Sequence, residues 1–331
     1  MHPRIKKLFN PGILDEIRRN YQIDGELKEL DGFENFIYEF DKDNESFILR
    51  VSHSSRRTEN QIIGELEWIK YLYDNGLNVS RGVLSSGKHL VESVKDGNGG
   101  KFLVSVFYRA EGTPPWEAEW DPGFSEHYGE VIGKMHALSK NYVPAKPEWR
   151  RYEWDSPVNM DIYEKMPASE KKAMFFFNKL MDHFKTLPKD RASYGLIHQD
   201  AHGGNLFVDK GKICLFDFDD AVYGWFIYDI AMVIFYNMMF DNDKKEMKDM
   251  LIRFFTGYFR ENNLDPAWIS EIPNFLKFRE IDLYGAILHD IGPDYKNDDW
   301  CRRYMDGRKE NIDNNRPFID FDWMSIVDEI Q

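Results

Sequence analysis

Two histidines, one asparagine, five aspartates and a pair of glycines lie within HQDAHGGNLFVDKGKICLFDFDD, the stretch from His198 to Asp220. One interpretation is a zinc hydrolase in which His198, Asp200 and His202 bind the metal and leave a fourth position to water. These three residues lie in a predicted loop that does not constrain their geometry, and no HExxH sequence is nearby. Because the glycines and Asn205 have no role in such a site, zinc is the weaker interpretation.

Phosphoryl transfer accounts for more of these residues. The reaction needs a carboxylate that orients the attacking hydroxyl and accepts its proton, and oxygen ligands that hold Mg²⁺ on the nucleotide phosphates. Asp200 supplies the first group, and Asn205 and Asp217 supply the second. The LFV and ICLF segments predict two short strands around a DKGK turn. Such a hairpin is expected to return Asp217 to the vicinity of Asn205.

The elements that must position these residues begin with a β-rich first third. Short segments rich in β-branched and aromatic residues, separated by turn sequences, predict five strands there. They are GELKELDG, ENFIYEFD, ESFILRVS, HLVESV and FLVSVFY. Before the fourth strand, apolar residues at helical spacing predict a helix from about Thr58 to Asn75, with Gly76 as its C-cap. We expect residues 1–108 to form one small lobe.

After this point the pattern becomes helical. Gly112, Pro114 and Pro115 interrupt regular structure and place a lobe boundary near 109–115, so that residues 109–331 form the second lobe. Helices are predicted at 124–140, 167–187, 226–240, 244–262, 272–290 and 297–310. Strands followed by helices indicate an α+β protein with two lobes.

Composition excludes several classes of protein. The net charge of −14, from 43 Lys and Arg against 57 Asp and Glu, argues against a nucleic-acid partner and is compatible with a cationic substrate. Two cysteines, Cys214 and Cys301, cannot build a disulfide framework or a cysteine-rich zinc site. The polar start lacks a signal-peptide core, and IAMVIFY is too short to cross a bilayer. We therefore expect no membrane partner and a cytoplasmic location.

The spacing HxDxxxxN at 198–205, followed by DFDD at 217–220, resembles the motif pair of the aminoglycoside phosphotransferase and choline kinase-like family, relatives of the protein kinases. The sequence YDIA at 228–231 resembles a later hallmark of that family. The resemblance extends over roughly residues 27–236. It implies a bilobal, protein kinase-like α+β fold, with a β-rich amino-terminal lobe, a mainly helical carboxy-terminal lobe and ATP between them.

The resemblance implies a role for each matching residue. Asp200 is expected to be the catalytic base, and Asn205 and Asp217 are expected to bind Mg²⁺. His198 is expected to brace the loop by hydrogen bonds, and Asp219 to assist either the metal or the catalytic loop.

Three further residues receive structural roles. His202 is expected to support the loop, and Asp220 to cap the following helix or a turn. Asp229 is expected to anchor the loop to the amino terminus of a helix.

The first lobe supplies the residues expected to bind the nucleotide. LDGFENFIYEF resembles the family's nucleotide-covering turn, with Asn35 at its usual asparagine position. In ILRVS, Arg50 occupies the position where protein kinases use a lysine on the α- and β-phosphates, and arginine also pairs with phosphate. Glu65 is expected to form an ion pair with Arg50, and Glu67 on the same helix is its rival.

VFYRAEG resembles the hinge, where backbone groups near Tyr108 and Ala110 are expected to bond adenine. The chain departs from the protein-kinase pattern because it has neither a GxGxxG loop nor an APE segment. These differences favour a small-molecule kinase.

Together these inferences predict an ATP- and Mg²⁺-dependent phosphotransferase that moves the γ-phosphoryl group to a hydroxyl of a small metabolite, expected to bear an amino or ammonium group. A protein Ser/Thr kinase on the same scaffold and a catalytically silent nucleotide-binding module are the alternatives. Trp225, Tyr284 and Trp300 are candidates for an aromatic box around a cationic acceptor, although such residues are more often core. The identity of the acceptor, the choice of ATP or GTP and the oligomeric state stay open.

Overall fold

The computed structural model describes residues 3–30, 32, 34–119, 121–239 and 243–330. The chain divides into two compact units, each assembled from three separate segments. The first unit comprises Met1–Ala118, Tyr142–Arg151 and Leu206–Asp219, and the second comprises Glu119–Asn141, Tyr152–Asn205 and Asp220–Gln331. The single boundary predicted near 109–115 stays a prediction.

Strands and helices alternate in the first third, and helices dominate the rest. The strands are β1 Lys28–Leu30, β2 Phe36–Lys42, β3 Glu45–His53, β4 Gly82–Val83, β5 Glu92–Lys95, β6 Lys101–Tyr108, β7 Tyr194–Ile197, β8 Leu206–Asp209, β9 Lys212–Leu215 and β10 Val222–Trp225. The α-helices are α1 Pro3–Lys6, α2 Pro11–Tyr21, α3 Glu59–Asp74, α4 Phe124–Ser139, α5 Ile162–Lys165, α6 Lys171–Phe184, α7 Phe226–Met238, α8 Lys244–Glu261, α9 Ile272–Ala286, α10 Asp299–Met305, α11 Arg308–Asp313 and α12 Met324–Ile330.

The first unit is built on an antiparallel sheet of order β1-β2-β3-β6-β4, with β5 also paired to β6. Its apolar side chains form one core with helix α2. The buried members are Ile13, Ile17, Tyr21, Ile23, Tyr38, Phe40, Phe47, Leu49, Val51, Val94, Phe102, Val104 and Val106. Helix α3 begins after Thr58, whose side chain accepts a hydrogen bond from the Gln61 N–H and thereby caps the helix.

The hairpin of β8 and β9 also belongs to the first unit. Its register pairs Leu206 with Leu215, so the chain leaves the hairpin at the end where it entered. The hairpin lies against Gly112, which has a φ of +92°. A Cβ atom on this glycine would lie 2.2 Å from the Val208 carbonyl oxygen, so no larger residue fits.

The second unit is mainly helical, with β7 and β10 paired antiparallel. Helices α4 and α8 approach each other closely at two glycines. A Cβ atom on Gly129 would lie 1.9 Å from the Phe254 carbonyl oxygen, and one on Gly257 would lie 1.9 Å from that of Glu126. Across the residues that the structure describes, no helix is both long and apolar enough to cross a membrane.

The structure corrects two of the predicted helices. The helix predicted at 297–310 is divided into α10 and α11, because Gly307 adopts a left-handed conformation (φ +64°) between them. The helix predicted at 272–290 ends as α9 and continues as one π-helical turn, Ile287–Ile291. The end of the helix predicted at 226–240 lies outside the described residues.

Several short elements were not predicted from the sequence. They are α1 and α2 before the first strand, the β4 strand, the helix α5, the β7–β10 pair and α12. The strand predicted from HLVESV is also shorter, because only Glu92–Lys95 pairs with β6.

Candidate active site

The Asp200 carboxylate is held on both of its oxygens. Oδ2 accepts a hydrogen bond from Asn205 Nδ2 at 3.1 Å and lies 3.3 Å from His202 Nε2. Oδ1 lies 3.3 Å from Nη2 of Arg279 on α9. Desolvation opposes ionisation of Asp200, but His202 and the positive charge of Arg279 outweigh it, so the pKa of this carboxyl lies below its ordinary value.

Asp229, in the first turn of α7, anchors the loop that carries Asp200. Its carboxylate accepts hydrogen bonds from the backbone N–H groups of His198 (2.8 Å) and Gln199 (2.7 Å). It also lies 3.1 Å from Nε2 of His136, a fully buried residue of α4. This geometry matches the anchoring role that the sequence indicates for Asp229. His198 takes part through its backbone N–H, and its role as a brace stays a prediction.

Helix α4 supports the loop at a second point, since the Tyr128 hydroxyl donates a hydrogen bond to the Ala201 carbonyl at 2.7 Å. The contact is buried, and it depends on the close α4–α8 packing. His202 receives the Gly204 N–H on Nδ1 at 2.8 Å, and its ring packs on Tyr236 of α7. His202 therefore supports the loop as the sequence indicates.

Asn205 directly precedes β8, and Asp217 follows β9 by two residues. Asp217 has a left-handed backbone (φ +60°), and 54% of its side chain is exposed. One carboxylate oxygen lies 3.8 Å from Nη1 of Arg50. The hairpin thus presents Asp217 as an accessible carboxylate beside a cation.

Arg50 and Glu65 form a buried bidentate ion pair. Nη1 and Nη2 of Arg50 lie 2.8 and 2.7 Å from the two Glu65 oxygens. Burial disfavours a charged arginine, but Glu65 and Asp219 outweigh it and raise the pKa of Arg50. The rival Glu67 instead accepts hydrogen bonds from the Tyr142 hydroxyl and the Ala145 N–H.

Asp219 lies in a cluster of arginines that the sequence analysis did not identify. Its buried carboxylate contacts Arg56 and lies 3.5 Å from Nε of Arg57. Arg151 donates to its backbone carbonyl. Desolvation raises the pKa of the Asp219 carboxyl, but the surrounding guanidinium groups outweigh this and hold it well below its ordinary value.

The same cluster extends to the segment predicted to cover the nucleotide. Asn35 Nδ2 donates to Asp219 Oδ2 at 3.3 Å, and Asn35 Oδ1 accepts from the Ser52 hydroxyl at 2.8 Å. Arg56 also forms an ion pair with Glu34. Asp31 and Phe33 of this segment lie outside the described residues.

At the predicted hinge, the backbone of Tyr108 is already engaged. Its N–H donates to the Arg81 carbonyl at 3.0 Å, and its carbonyl accepts from the Ser80 hydroxyl at 2.6 Å. Both backbone groups of Tyr108 are therefore hydrogen-bonded within the protein, the neighbouring Ala110 is buried, and the predicted contacts of these two residues with adenine stay a prediction.

Other candidates have structural positions. Trp225 and Tyr284 are buried in the core and cannot line an aromatic box, whereas the exposed Trp300 stacks on the buried Tyr304. Asp220 lies in a turn, and the residue at the amino-terminal cap of α7 is Trp225. Within the part of the chain that the structure describes, no three His, Cys, Asp or Glu side chains are placed to bind a metal together.

Sequence reasoning missed Arg56, Arg57, Arg151 and Arg279. Each contacts a motif aspartate from a segment distant in the sequence, and no spacing rule relates the two. The local signals are two pairs of adjacent arginines, one in SSRRT just before the capped start of α3 and one in WRRY at 149–152.

Comparisons with known proteins agree with this geometry. A family model described as "Phosphotransferase enzyme family" matches residues 26–267. Amicoumacin kinase of Bacillus subtilis (strain 168) is 34% identical over 340 residues, which cover 99% of both chains. Stress response kinase A of Escherichia coli (strain K12) is 25% identical over 279 residues, 82% of this chain and 78% of that kinase.

Solved structures show the same relationship. Amicoumacin kinase hAmiN in complex with AMP-PNP, Ca²⁺ and Ami has a TM-score of 0.91 and 30% identity, covering 98% of this chain and 100% of that one. A spectinomycin phosphotransferase in complex with ADP and spectinomycin has a TM-score of 0.58 and 17% identity, covering 96% of each chain. The second likeness concerns the fold alone.

Proposed function

The chain belongs to the phosphotransferase enzyme family, and on that premise we propose a specific reaction in which Asp200 orients a hydroxyl of a small antibiotic for transfer of the γ-phosphoryl group of ATP. The family resemblance and the kinase-like α+β fold predicted from the sequence are confirmed. The protein is a small-molecule phosphotransferase that acts on a hydroxyl group, as predicted. A cytoplasmic location and the absence of a nucleic-acid partner remain predictions.

The observation that carries the proposed mechanism is the orientation of Asp200. Because separate elements contact both of its oxygens, the Asp200 carboxylate has a fixed orientation. A carboxylate with a fixed orientation accepts the hydrogen bond of an incoming hydroxyl from one defined direction. In the reaction, the hydroxyl oxygen forms a bond to the γ-phosphorus while the bond to the ADP oxygen breaks. The hydroxyl proton passes to Asp200, and ADP leaves with the electron pair of the broken bond.

Asn205 and Asp217 would hold the divalent cation. Asn205 donates its amide N–H to Asp200, and in the described part of the chain its Oδ1 accepts no hydrogen bond. The hairpin register returns the chain to the end at which Asn205 precedes it, and Asp217 offers an accessible carboxylate. These are hard oxygen donors, which suit Mg²⁺ or Ca²⁺. When bound, the cation neutralises charge on the ATP phosphates.

Arg50 and Asn35 would bind the nucleotide on the first unit. Glu65 holds the Arg50 guanidinium in place by the bidentate pair, and Asp217 lies at the same guanidinium. Arg50 can therefore pair with phosphate without losing its anchor. The Asn35 side chain is held by hydrogen bonds with Ser52 and Asp219 within this unit.

For the acceptor we propose amicoumacin or an antibiotic of the same kind. The support is the amicoumacin kinase relative, which is 34% identical to this chain over nearly the whole length of both proteins. The excess of acidic residues is compatible with an amino-bearing acceptor.

The test is incubation of the purified protein with ATP, Mg²⁺ and amicoumacin, followed by mass spectrometry of the antibiotic. We expect a product that is heavier by one phosphoryl group and absent from reactions with Asp200→Asn. A parallel reaction with labelled ATP and a cell lysate, in which label enters proteins and no antibiotic or metabolite, would identify a protein kinase instead. ATP that raises the melting temperature without turnover on any acceptor would identify a silent nucleotide-binding module.

A further inference from the structure

We propose that Arg279 is a positioning residue for phosphoryl transfer, because it fixes the plane of the Asp200 carboxylate from the side of Oδ1. This inference rests on the proposed function of Asp200. It assigns a task to a residue of α9 that lies well outside the two motifs.

Arg279 joins three elements of the second unit through one guanidinium group. Nη2 donates to the Tyr236 hydroxyl on α7 at 2.6 Å and lies 3.3 Å from Asp200 Oδ1. Nη1 donates to Asp282, one turn further along α9, at 2.9 Å. Only 21% of the Arg279 side chain is exposed.

The contacts of Arg279 with Tyr236 (2.6 Å) and Asp282 (2.9 Å) are shorter than its contact with Asp200 (3.3 Å). Tyr236 and Asp282 therefore determine where the guanidinium lies, and Asp200 adjusts to it. Burial raises the pKa of Tyr236 to about 12, so its hydroxyl is neutral at physiological pH. Arg279 is thus a fixed cation with two supports of its own.

Helix α9 is itself anchored next to Arg279. Glu280 is fully buried and binds Lys277 Nζ and Arg308 Nη1, each at 2.7 Å. Its backbone carbonyl accepts from the Tyr304 hydroxyl at 2.7 Å. These buried contacts hold helix α9 in place. The backbone position of Arg279 is therefore well defined and does not depend on the contact between Arg279 and Asp200.

A carboxylate rotates readily about its last side-chain bond, because that torsion has broad, two-fold preferences. Asn205 and His202 restrain Asp200 at Oδ2 only. Arg279 adds the restraint at Oδ1 and leaves lone-pair capacity on that oxygen for a hydroxyl. Loss of Arg279 should misorient the base while leaving the residues assigned to ATP untouched.

The test compares Arg279→Met, Arg279→Lys and wild type in steady-state assays with the antibiotic acceptor that the wild type phosphorylates. Arg279→Met should lower kcat on the order of 10- to 100-fold, the scale expected for misplaced reacting groups, with KM for ATP within twofold. Arg279→Lys should have a higher kcat than Arg279→Met, because a lysine ammonium can reach Asp200 Oδ1. Its kcat should stay below that of wild type, because one ammonium cannot bond Tyr236 and Asp282 as the guanidinium does. The exposed Arg302, changed to Met, is the matched control and should behave as wild type.

A second pair of variants keeps the test valid if Arg279→Met does not fold. Tyr236→Phe and Asp282→Asn each remove one support and should lower kcat less than Arg279→Met, again with KM for ATP unchanged. An unchanged kcat in Arg279→Met would overturn the inference, and so would a rise in KM for the acceptor at constant kcat, which would mark a binding residue. If the wild type transfers phosphate to no acceptor, the proposed function itself fails.

Discussion

Asp200 and Asp217 stand at the two ends of one short motif region, yet the protein holds them in opposite ways. Asp200 exposes 24% of its side chain and is contacted on both oxygens by side chains from the loop and from α9. Asp217 exposes 54%, has a left-handed backbone, and one of its carboxylate oxygens lies 3.8 Å from Nη1 of Arg50.

The different contacts and exposure of Asp200 and Asp217 correspond to the two different roles that we propose for them. In the proposed mechanism the second unit orients the acceptor hydroxyl, because contacts within that unit hold the Asp200 carboxylate on both oxygens. A left-handed aspartate costs about 1 kcal/mol or more and persists where surrounding structure imposes it. At Asp217 this backbone carries a carboxylate that is more than half exposed, as its proposed role in binding a divalent cation requires.

Asp219 shows that the contrast is not a general property of the segment. Two residues after Asp217, its carboxylate is buried among arginines. The segment therefore alternates between an anchored and an accessible aspartate. Asp219 holds the segment in the first unit, so that Asp217 is presented at a fixed place.

The largest expected effect follows from Asp217→Ala. We expect no detectable transfer, because a catalytic cation contributes several kcal/mol and each ~1.4 kcal/mol is tenfold in rate. The melting temperature should change little, since the side chain is exposed. Asp209→Ala, at the opposite end of the same hairpin, is the control and should retain activity. Near-normal turnover of Asp217→Ala would break the comparison at its accessible end.

The second effect tests the anchored end. Asp200→Asn keeps the side-chain shape but removes the base, and should lower kcat by about 10²- to 10⁴-fold. Its Mg²⁺ concentration dependence should match that of wild type, as measured by the metal concentration that gives half-maximal rate. A strong shift in this dependence would show that Asp200 also serves the metal, and the two aspartates would no longer have separate tasks.

The sequence was sufficient for features that depend on local spacing. The capped helix after Thr58 is present as α3, and its Glu65 pairs with Arg50 as predicted. Helical periodicity explains this success, because Glu65 shares the buried face of α3 with the apolar residues, whereas Glu67 points elsewhere. The two strands of the β8–β9 hairpin were also predicted from their apolar residues and turn.

The features that the sequence did not predict were missed for different reasons. Helix α2 was missed although Asn10 and Pro11 are a local start signal, and in the structure Asn10 accepts hydrogen bonds from the Gly12 and Ile13 N–H groups. The β7 and β10 strands have four residues each and contain glycine, which weakens any β pattern. Arg279 lies 79 residues from Asp200, so only the tertiary fold relates them.

A third prediction concerns the ion pair between Glu65 and Arg50, the residue that we propose binds the nucleotide phosphates. Glu65→Gln leaves the charge of Arg50 buried without its partner carboxylate, which should destabilise the protein by about 3 kcal/mol. We also expect KM for ATP to rise, because Arg50 loses its fixed position. Glu67→Gln on the same helix is the control and should cost less than about 1 kcal/mol, since its partners are hydrogen-bond donors that glutamine also serves. Equal losses in both variants, measured by thermal and urea unfolding, would contradict the assignment.

The smallest expected effect is a dependence of stability on pH, which should distinguish the Asp229 anchor of the Asp200 loop from the arginine cluster around Asp219. Burial lowers the pKa of His136 below its ordinary value of 6.5, although Asp229 opposes this. The unfolded chain therefore binds a proton at this histidine near pH 6.5, and the folded protein does so only at lower pH. Stability should fall as pH decreases through 6.5, by at most about 1.4 kcal/mol per pH unit. The cluster around Asp219 is built on guanidinium groups, a type of side chain that stays charged in proteins throughout this range of pH.

Melting temperatures between pH 7.5 and 5.5 measure this dependence, and His136→Asn should flatten it. Amide hydrogen exchange should locate it, since the His198 and Gln199 amides bond to the same Asp229 carboxylate that His136 contacts. If acid loosens these amides while those around Asp219 stay protected, the base is held by an anchor that responds to pH and the metal-binding segment by one that does not. Equal loosening of both regions would mean that the two aspartates share one support.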